Sequence, residues 1–205
     1  MIKQKFGDRL DGWIHSAFPF LFLRRLNPNI LTAIGTVGSV AAGASLASGW
    51  LVTGGVLILT SGFFDLIDGA VARHVGSTRF GAFLDSTLDR LADMAVLVGL
   101  APHFALVGEP GHVLLSGAAL MATVMVSYSA ACAKLSMPAG INIGFFERGE
   151  RVCLLAAGVL FGMPVVALWI LTIGSTWTVT QRFARAYREM GRLDAADGPG
   201  LGGPT

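Results

Sequence analysis

Apolar residues run through this chain in long blocks, not at the two-residue spacing of a strand or the narrow stripe of a half-exposed helix. The blocks fall near 29–48, 51–73, 80–102, 113–134, 149–163 and 165–187, the fifth being the shortest. Each approaches the roughly 20 apolar residues a helix needs to cross a hydrocarbon layer about 30 Å thick. The interruptions carry turn chemistry: Ser48-Gly49, His74 to Thr78, Gly108-Glu109-Pro110-Gly111, Met137-Pro138-Ala139-Gly140 and Gly162-Met163-Pro164. The pattern predicts an all-α integral membrane fold of six transmembrane helices, and an even number of spans places both ends on one side.

Composition agrees. Of 205 residues, 53% are hydrophobic and 14% charged, well below the roughly 25% charged residues of a soluble domain, so lipid is the expected solvent for most of the surface. The expected division is a lead-in over 1–28, one six-helix domain over 29–190 and a disordered tail over 191–205. Residues 3–22 mix Lys3, Lys5, Asp8 and Arg9 with Phe6, Leu10, Trp13 and Phe18, which suits an amphipathic helix lying in the headgroup plane. No cleavable signal is expected there, since no short apolar core precedes a small-residue cleavage site. The tail from Asp194 lacks apolar content. Cys132 and Cys153 show no metal-site spacing and read as small packing residues.

The Lys and Arg residues fix an orientation. They precede the first span, surround the second and fourth connections and end the chain, whereas the first, third and fifth connections hold none. The positive-inside rule therefore puts both termini and the even connections on the cytoplasmic side of the cell (inner) membrane. A membrane-lipid partner is expected, and no nucleic acid.

Ionisable residues inside spans are costly and mark functional sites. Asp65 and Asp68 stand three apart at the inner end of span two, and Asp85 and Asp89 four apart at the inner start of span three. Each pair shares a helix face, and the short connection makes the two helices antiparallel neighbours, so the four carboxylates are expected to converge. Like charges so placed repel strongly unless some are protonated or a cation sits among them. Oxygen-only ligation favours Mg²⁺ or Mn²⁺, which complete their shells with phosphate oxygens and water. Gly69 opens the backbone beside Asp68, and Arg73, one turn on, offers a planar donor fork to a phosphate.

The run Asp65-Leu-Ile-Asp68-Gly69-Ala-Val-Ala72-Arg73, followed by Gly81-Ala-Phe-Leu-Asp85-Ser-Thr-Leu-Asp89, resembles the signature of the CDP-alcohol phosphotransferases, D-x-x-D-G-x-x-A-R, a spacer, and G-x-x-x-D-x-x-x-D. The spacer holds seven residues where eight is commoner in that family. The resemblance implies transfer of a phosphatidyl group from CDP-diacylglycerol to the hydroxyl of a polar alcohol, with release of CMP. It implies Asp65, Asp68 and Asp85 as metal ligands, and Asp89 as both the completion of the site and the general base. It further implies a nucleotide pocket formed by Asn29, Thr32, Asp65, Asp68, Gly69, Ala72, Arg73, Thr78, Gly81 and Asp85. Thr78 reads equally as a helix cap. Two ions per site suit in-line displacement at phosphorus.

The acceptor rests on residues outside the signature. Glu147-Arg148-Gly149-Glu150-Arg151 opens span five, Gln181-Arg182 lies near the end of span six, and Asp93 follows the signature by four residues. These positions resemble the phosphatidylinositol-phosphate synthase branch, and they make Asp93, Arg148, Arg151 and Arg182 the candidate acceptor site, with inositol phosphate the expected acceptor. That branch carries basic residues after the Ser-Tyr of span four, where this chain has Ala130 and Cys132, so fewer cations are expected on the acceptor. Glu147 to Arg151 also reads as a salt-bridge network bracing the connection. Glycerol 3-phosphate, or an uncharged alcohol such as serine or inositol, is the alternative acceptor. A cation transporter, the remote alternative, requires carboxylates near the midplane on interrupted helices. The resemblance also implies a homodimer, and Gly35, Gly38, Ala42 and Gly43 on span one would permit close helix contact.

Overall fold

The computed structural model describes residues 27–76, 78–137 and 146–197; the amphipathic lead-in expected before residue 27 lies outside them. The architecture is all-helical: α1 Pro28–Ala47, α2 Leu51–Val75, α3 Arg79–Leu106, α4 Pro110–Ser136, α5 Arg148–Leu160 and α6 Pro164–Asp197. Proline opens α1, α4 and α6 at the position where its missing N–H costs nothing. At α1, Asn27 caps the helix by accepting from the Asn29 N–H at 3.0 Å. Gly76 stops α2 with φ of 100°, a conformation that disfavours any side chain. At α5 a capping box closes the start, the Glu150 carboxylate accepting from the Glu147 N–H at 2.8 Å.

Among the described residues, three helices are long and apolar enough to cross a membrane: α1, α2 over Leu51–His74, and α4. The other three helices fall short of that length and composition for identifiable reasons. Asp85, Asp89, Arg90 and Asp93 punctuate α3, while the 13 residues of α5 reach only about 20 Å at 1.5 Å per residue. The second half of α6 is strongly polar and continues through Asp197, past residue 190 where the helical domain was expected to end. Ion pairs from Glu189 to Arg185 (3.1 Å) and Arg192 (3.6 Å) brace that stretch.

Packing groups the chain into two units, one running to His103 and the other starting at Phe104, where composition suggested one domain. The division falls beside Pro102, which removes a backbone donor within α3. In the first unit α1 and α2 form an antiparallel hairpin around Leu31, Ile67, Ala70 and Val71, with Phe63 and Phe64 packed on them. The small residues of α1 serve contacts inside this unit. A Cβ at Gly43 would run into the Ala95 carbonyl of α3, one at Gly38 would touch Ser61, and Ala42 is fully buried. In the second unit α6 packs on both α4 and α5, burying Leu155, Val159, Leu168 and Leu171. Large apolar side chains such as Ile34, Val37, Val56, Leu114, Met121, Trp169 and Ile173 point outward, an outer surface suited to hydrocarbon.

Candidate active site

The N-terminal ends of α1 and α3 and the C-terminal end of α2 line a cavity of about 490 Å³ in the first unit. Of the residues expected to bind nucleotide, Asn29, Thr32, Asp68, Gly69, Ala72, Arg73, Thr78, Gly81 and Asp85 line it. Asn27, Pro28, Gly76 and Ala82 complete the wall. Asn27, Gly76 and Ala82 carry no signature chemistry, and they reach the cavity because Asn27-Pro28 and Gly76 mark the helix ends that border it. Thr78 does both things expected of it: it faces the cavity, and its hydroxyl accepts from the Gly81 N–H at 2.9 Å, capping α3. Gly81 is glycine for room, since a Cβ there would lie 3.0 Å from both the Asn29 Oδ1 and the Thr78 Oγ1. Gly69 likewise leaves space under the Arg73 guanidinium, 3.3 Å from where its Cβ would be.

The four signature aspartates are distributed unequally. Asp68, only 4% exposed, and Asp85 face the cavity from two different helices. Asp65 lies against α1, its Oδ1 3.0 Å from the position of a Cβ on Gly35. Asp89 is largely buried, with Arg90 at 3.9 Å. Among the described residues, no three acidic, histidine or cysteine side chains are gathered tightly enough to hold a metal ion as they stand. The donor set nevertheless fits a hard divalent cation. The described side chains facing the cavity offer carboxylate, amide and hydroxyl oxygens and no sulfur or imidazole, and a buried carboxylate such as Asp68 is held charged most cheaply by a cation. Both helices run unbroken through their aspartates, unlike the interrupted helices of a transporter site.

The acceptor candidates are split between the units. Asp93 lies on α3, one turn beyond Asp89. In the second unit Arg151, 5% exposed, donates to the Phe146 carbonyl at 3.3 Å. Arg182 donates to the Val126 carbonyl of α4. Arg151 and Arg182 stand close enough for their positive charges to act on one another. Arg148 opens α5 three residues before Arg151. Glu147 and Glu150 are engaged in the capping box. A second cavity, of about 400 Å³, is lined by Tyr128, Ser129, Cys132, Arg182 and Phe183. Cys132 thus stands on the same wall as Arg182. Both cysteines are free, and Cys153 is exposed instead of packed.

Comparison with known proteins agrees with this geometry. The CDP-alcohol phosphatidyltransferase family model matches residues 25–180. A phosphatidylinositol phosphate synthase of Streptomyces avermitilis is 40% identical over 195 residues, covering 86% of this chain and 79% of that protein. The crystal structure of Mycobacterium tuberculosis phosphatidylinositol phosphate synthase with CDP-DAG bound superposes with a TM-score of 0.71 at 28% identity, over 89% of this chain and 94% of the other. The same enzyme in complex with manganese and citrate gives a TM-score of 0.73 at 32% identity, over 79% and 83%.

Proposed function

Because the chain belongs to the CDP-alcohol phosphatidyltransferase family, we propose that it transfers a phosphatidyl group from CDP-diacylglycerol to the hydroxyl of inositol phosphate, releasing CMP. The observation that carries this reading is the cavity that brings Asp68, Gly69, Ala72 and Arg73 of α2 together with Gly81 and Asp85 of α3 and Asn29 and Thr32 of α1. In it, Arg73 orients the pyrophosphate through its fork, while Asn29, Thr32, Gly69, Ala72, Thr78 and Gly81 shape the nucleotide pocket. Asp65, Asp68, Asp85 and Asp89 would hold Mg²⁺ or Mn²⁺, two ions per site. When bound, these cations neutralise the pyrophosphate and the departing CMP. Asp89 takes the proton from the acceptor hydroxyl. That oxygen attacks the lipid-bearing phosphorus in line as the bond to CMP breaks.

Acceptor binding falls to Asp93, Arg148, Arg151 and Arg182. Two guanidinium groups near one another, those of Arg151 and Arg182, suit the oxygens of a phosphate, which supports a phosphorylated acceptor over a neutral one. Cys132 on the wall near Arg182 fits an acceptor phosphate held by fewer cations than its relatives use. We further propose six membrane-embedded helices, with both termini and the active site on the cytoplasmic face of the cell membrane, and a homodimeric assembly. The small residues of α1 lend the dimer no support, since they are occupied within the protomer.

Arg151→Ala tests the acceptor assignment. It should raise the acceptor KM about 10- to 150-fold, the equivalent of the roughly 1.5–3 kcal/mol of a charge-assisted contact, with the donor KM little changed. Arg151→Lys should recover part of the loss, since a fork becomes a point charge. If Arg151→Ala lowers only thermal stability, the residue merely braces the Phe146 carbonyl and the assignment fails.

A further inference from the structure

Of the four signature carboxylates, Asp65 and Asp89 do not line the nucleotide cavity, and Asp65 sits beside a feature of α1 that the signature does not specify. Its carboxylate lies against α1 where Gly35 has no side chain, with Oδ1 3.0 Å from the place a Cβ would occupy. One turn before Asp65 on α2 is Ser61, 2% exposed, whose hydroxyl donates to the Gly35 carbonyl at 2.5 Å. One turn beyond Gly35 on α1 is Ser39, also buried, 2.5 Å from the Ser61 hydroxyl. Ser61 has one proton and gives it to Gly35, so Ser39 is the donor in the second bond. The result is a directed chain, Ser39 to Ser61 to the Gly35 carbonyl, joining α1 and α2 within one turn of Asp65.

Hydroxyls and small residues between membrane helices serve as glue, and that alone would explain two buried serines. The position of this chain says more. It fixes the α1 backbone at Gly35, against which the Asp65 carboxylate rests, and a methyl group there would push that oxygen back by a few tenths of an ångström. We infer that Gly35 and Ser61 are positioning residues that set the Asp65 carboxylate for divalent-cation binding. The inference rests on the assignment of Asp65 as a metal ligand. Groups that orient metal-binding side chains typically control affinity by about 10- to 100-fold.

The test is Mn²⁺ binding to purified full-length protein without substrate, read from the loss of the free-ion EPR signal, with thermal melting measured alongside. Gly35→Ala and Ser61→Ala should each weaken Mn²⁺ binding by roughly tenfold or more. Gly38→Ala is the matched control on the same helix, because its Cβ would make an ordinary 3.6 Å contact with Ser61. It should leave Mn²⁺ affinity unchanged. Ser39→Ala keeps the Ser61 bond to Gly35 and should lower the melting temperature more than the affinity. If Gly35→Ala does not fold, Ser61→Ala carries the test. Weaker melting with unchanged Mn²⁺ affinity in Gly35→Ala and Ser61→Ala overturns the inference, leaving a structural clasp. An Asp65→Ala control separates the two layers: Mn²⁺ binding indifferent to it, or absent in the wild type, overturns the ligand assignment itself.

Discussion

Asp89 is 16% exposed at its side chain and lies 3.9 Å from Arg90, and it is the proposed general base. If it is the base, Asp89→Asn should bind CDP-diacylglycerol nearly as well as the wild type while transfer falls by about 10²–10⁴-fold. Equilibrium donor binding and single-turnover rates check this, and loss of donor binding in step with turnover would make Asp89 chiefly a ligand. At this scale the residue types and their order were legible in the sequence, and their individual directions were not. Residues three apart on a helix point about 60° apart and residues four apart about 40°. A shared face therefore still allows Asp68 to enter the cavity while Asp65 turns to α1. The arginines hid a second role in the same way, since Arg151 and Arg182 each hold a backbone carbonyl that no pattern of charges reveals.

Among the elements, helix starts were the most readable features, because Pro28, Pro110 and Pro164 each bring a fixed φ to the first helical position. The extent of α6 was not, because helix beyond residue 190 depends on Arg-Glu pairing, not on apolar content. The crossing of α1 and α3 was also invisible: glycines that looked available for a dimer are the ones that let two backbones touch. A Cβ at Gly99 would collide with the Gly43 carbonyl, and a carbonyl inside a helix cannot swing aside. Gly99→Ala should therefore destabilise the protein by about 1–3 kcal/mol and lower its melting temperature in detergent. Gly117→Ala, where no described atom lies within 4 Å, should melt like the wild type. Equal melting of the two variants would contradict the close crossing.

For the molecule as a whole, the placement of charge makes a topological prediction. Lys and Arg flank one set of helix ends and are missing from the first, third and fifth connections, so a fluorescent protein that matures only in the cytoplasm should fluoresce when fused after Thr205. A phosphatase active only outside the cytoplasm should stay silent there. The opposite pair of results would invert the topology and move the aspartates to the outer face. Membrane class and reaction class were readable because long apolar blocks and a spaced set of carboxylates each have few physical explanations. The acceptor was harder to read, since its candidate residues come from separate helices and share chemistry with ordinary structural arginines. The most direct test is the lipid product made by purified protein from CDP-diacylglycerol and an equimolar mixture of inositol 1-phosphate, glycerol 3-phosphate and inositol, read by mass spectrometry with and without a chelator. Phosphatidylinositol phosphate should be the main product with Mg²⁺ or Mn²⁺, and none should form after chelation; a product of unphosphorylated inositol, or turnover that survives chelation, would contradict the proposed reaction.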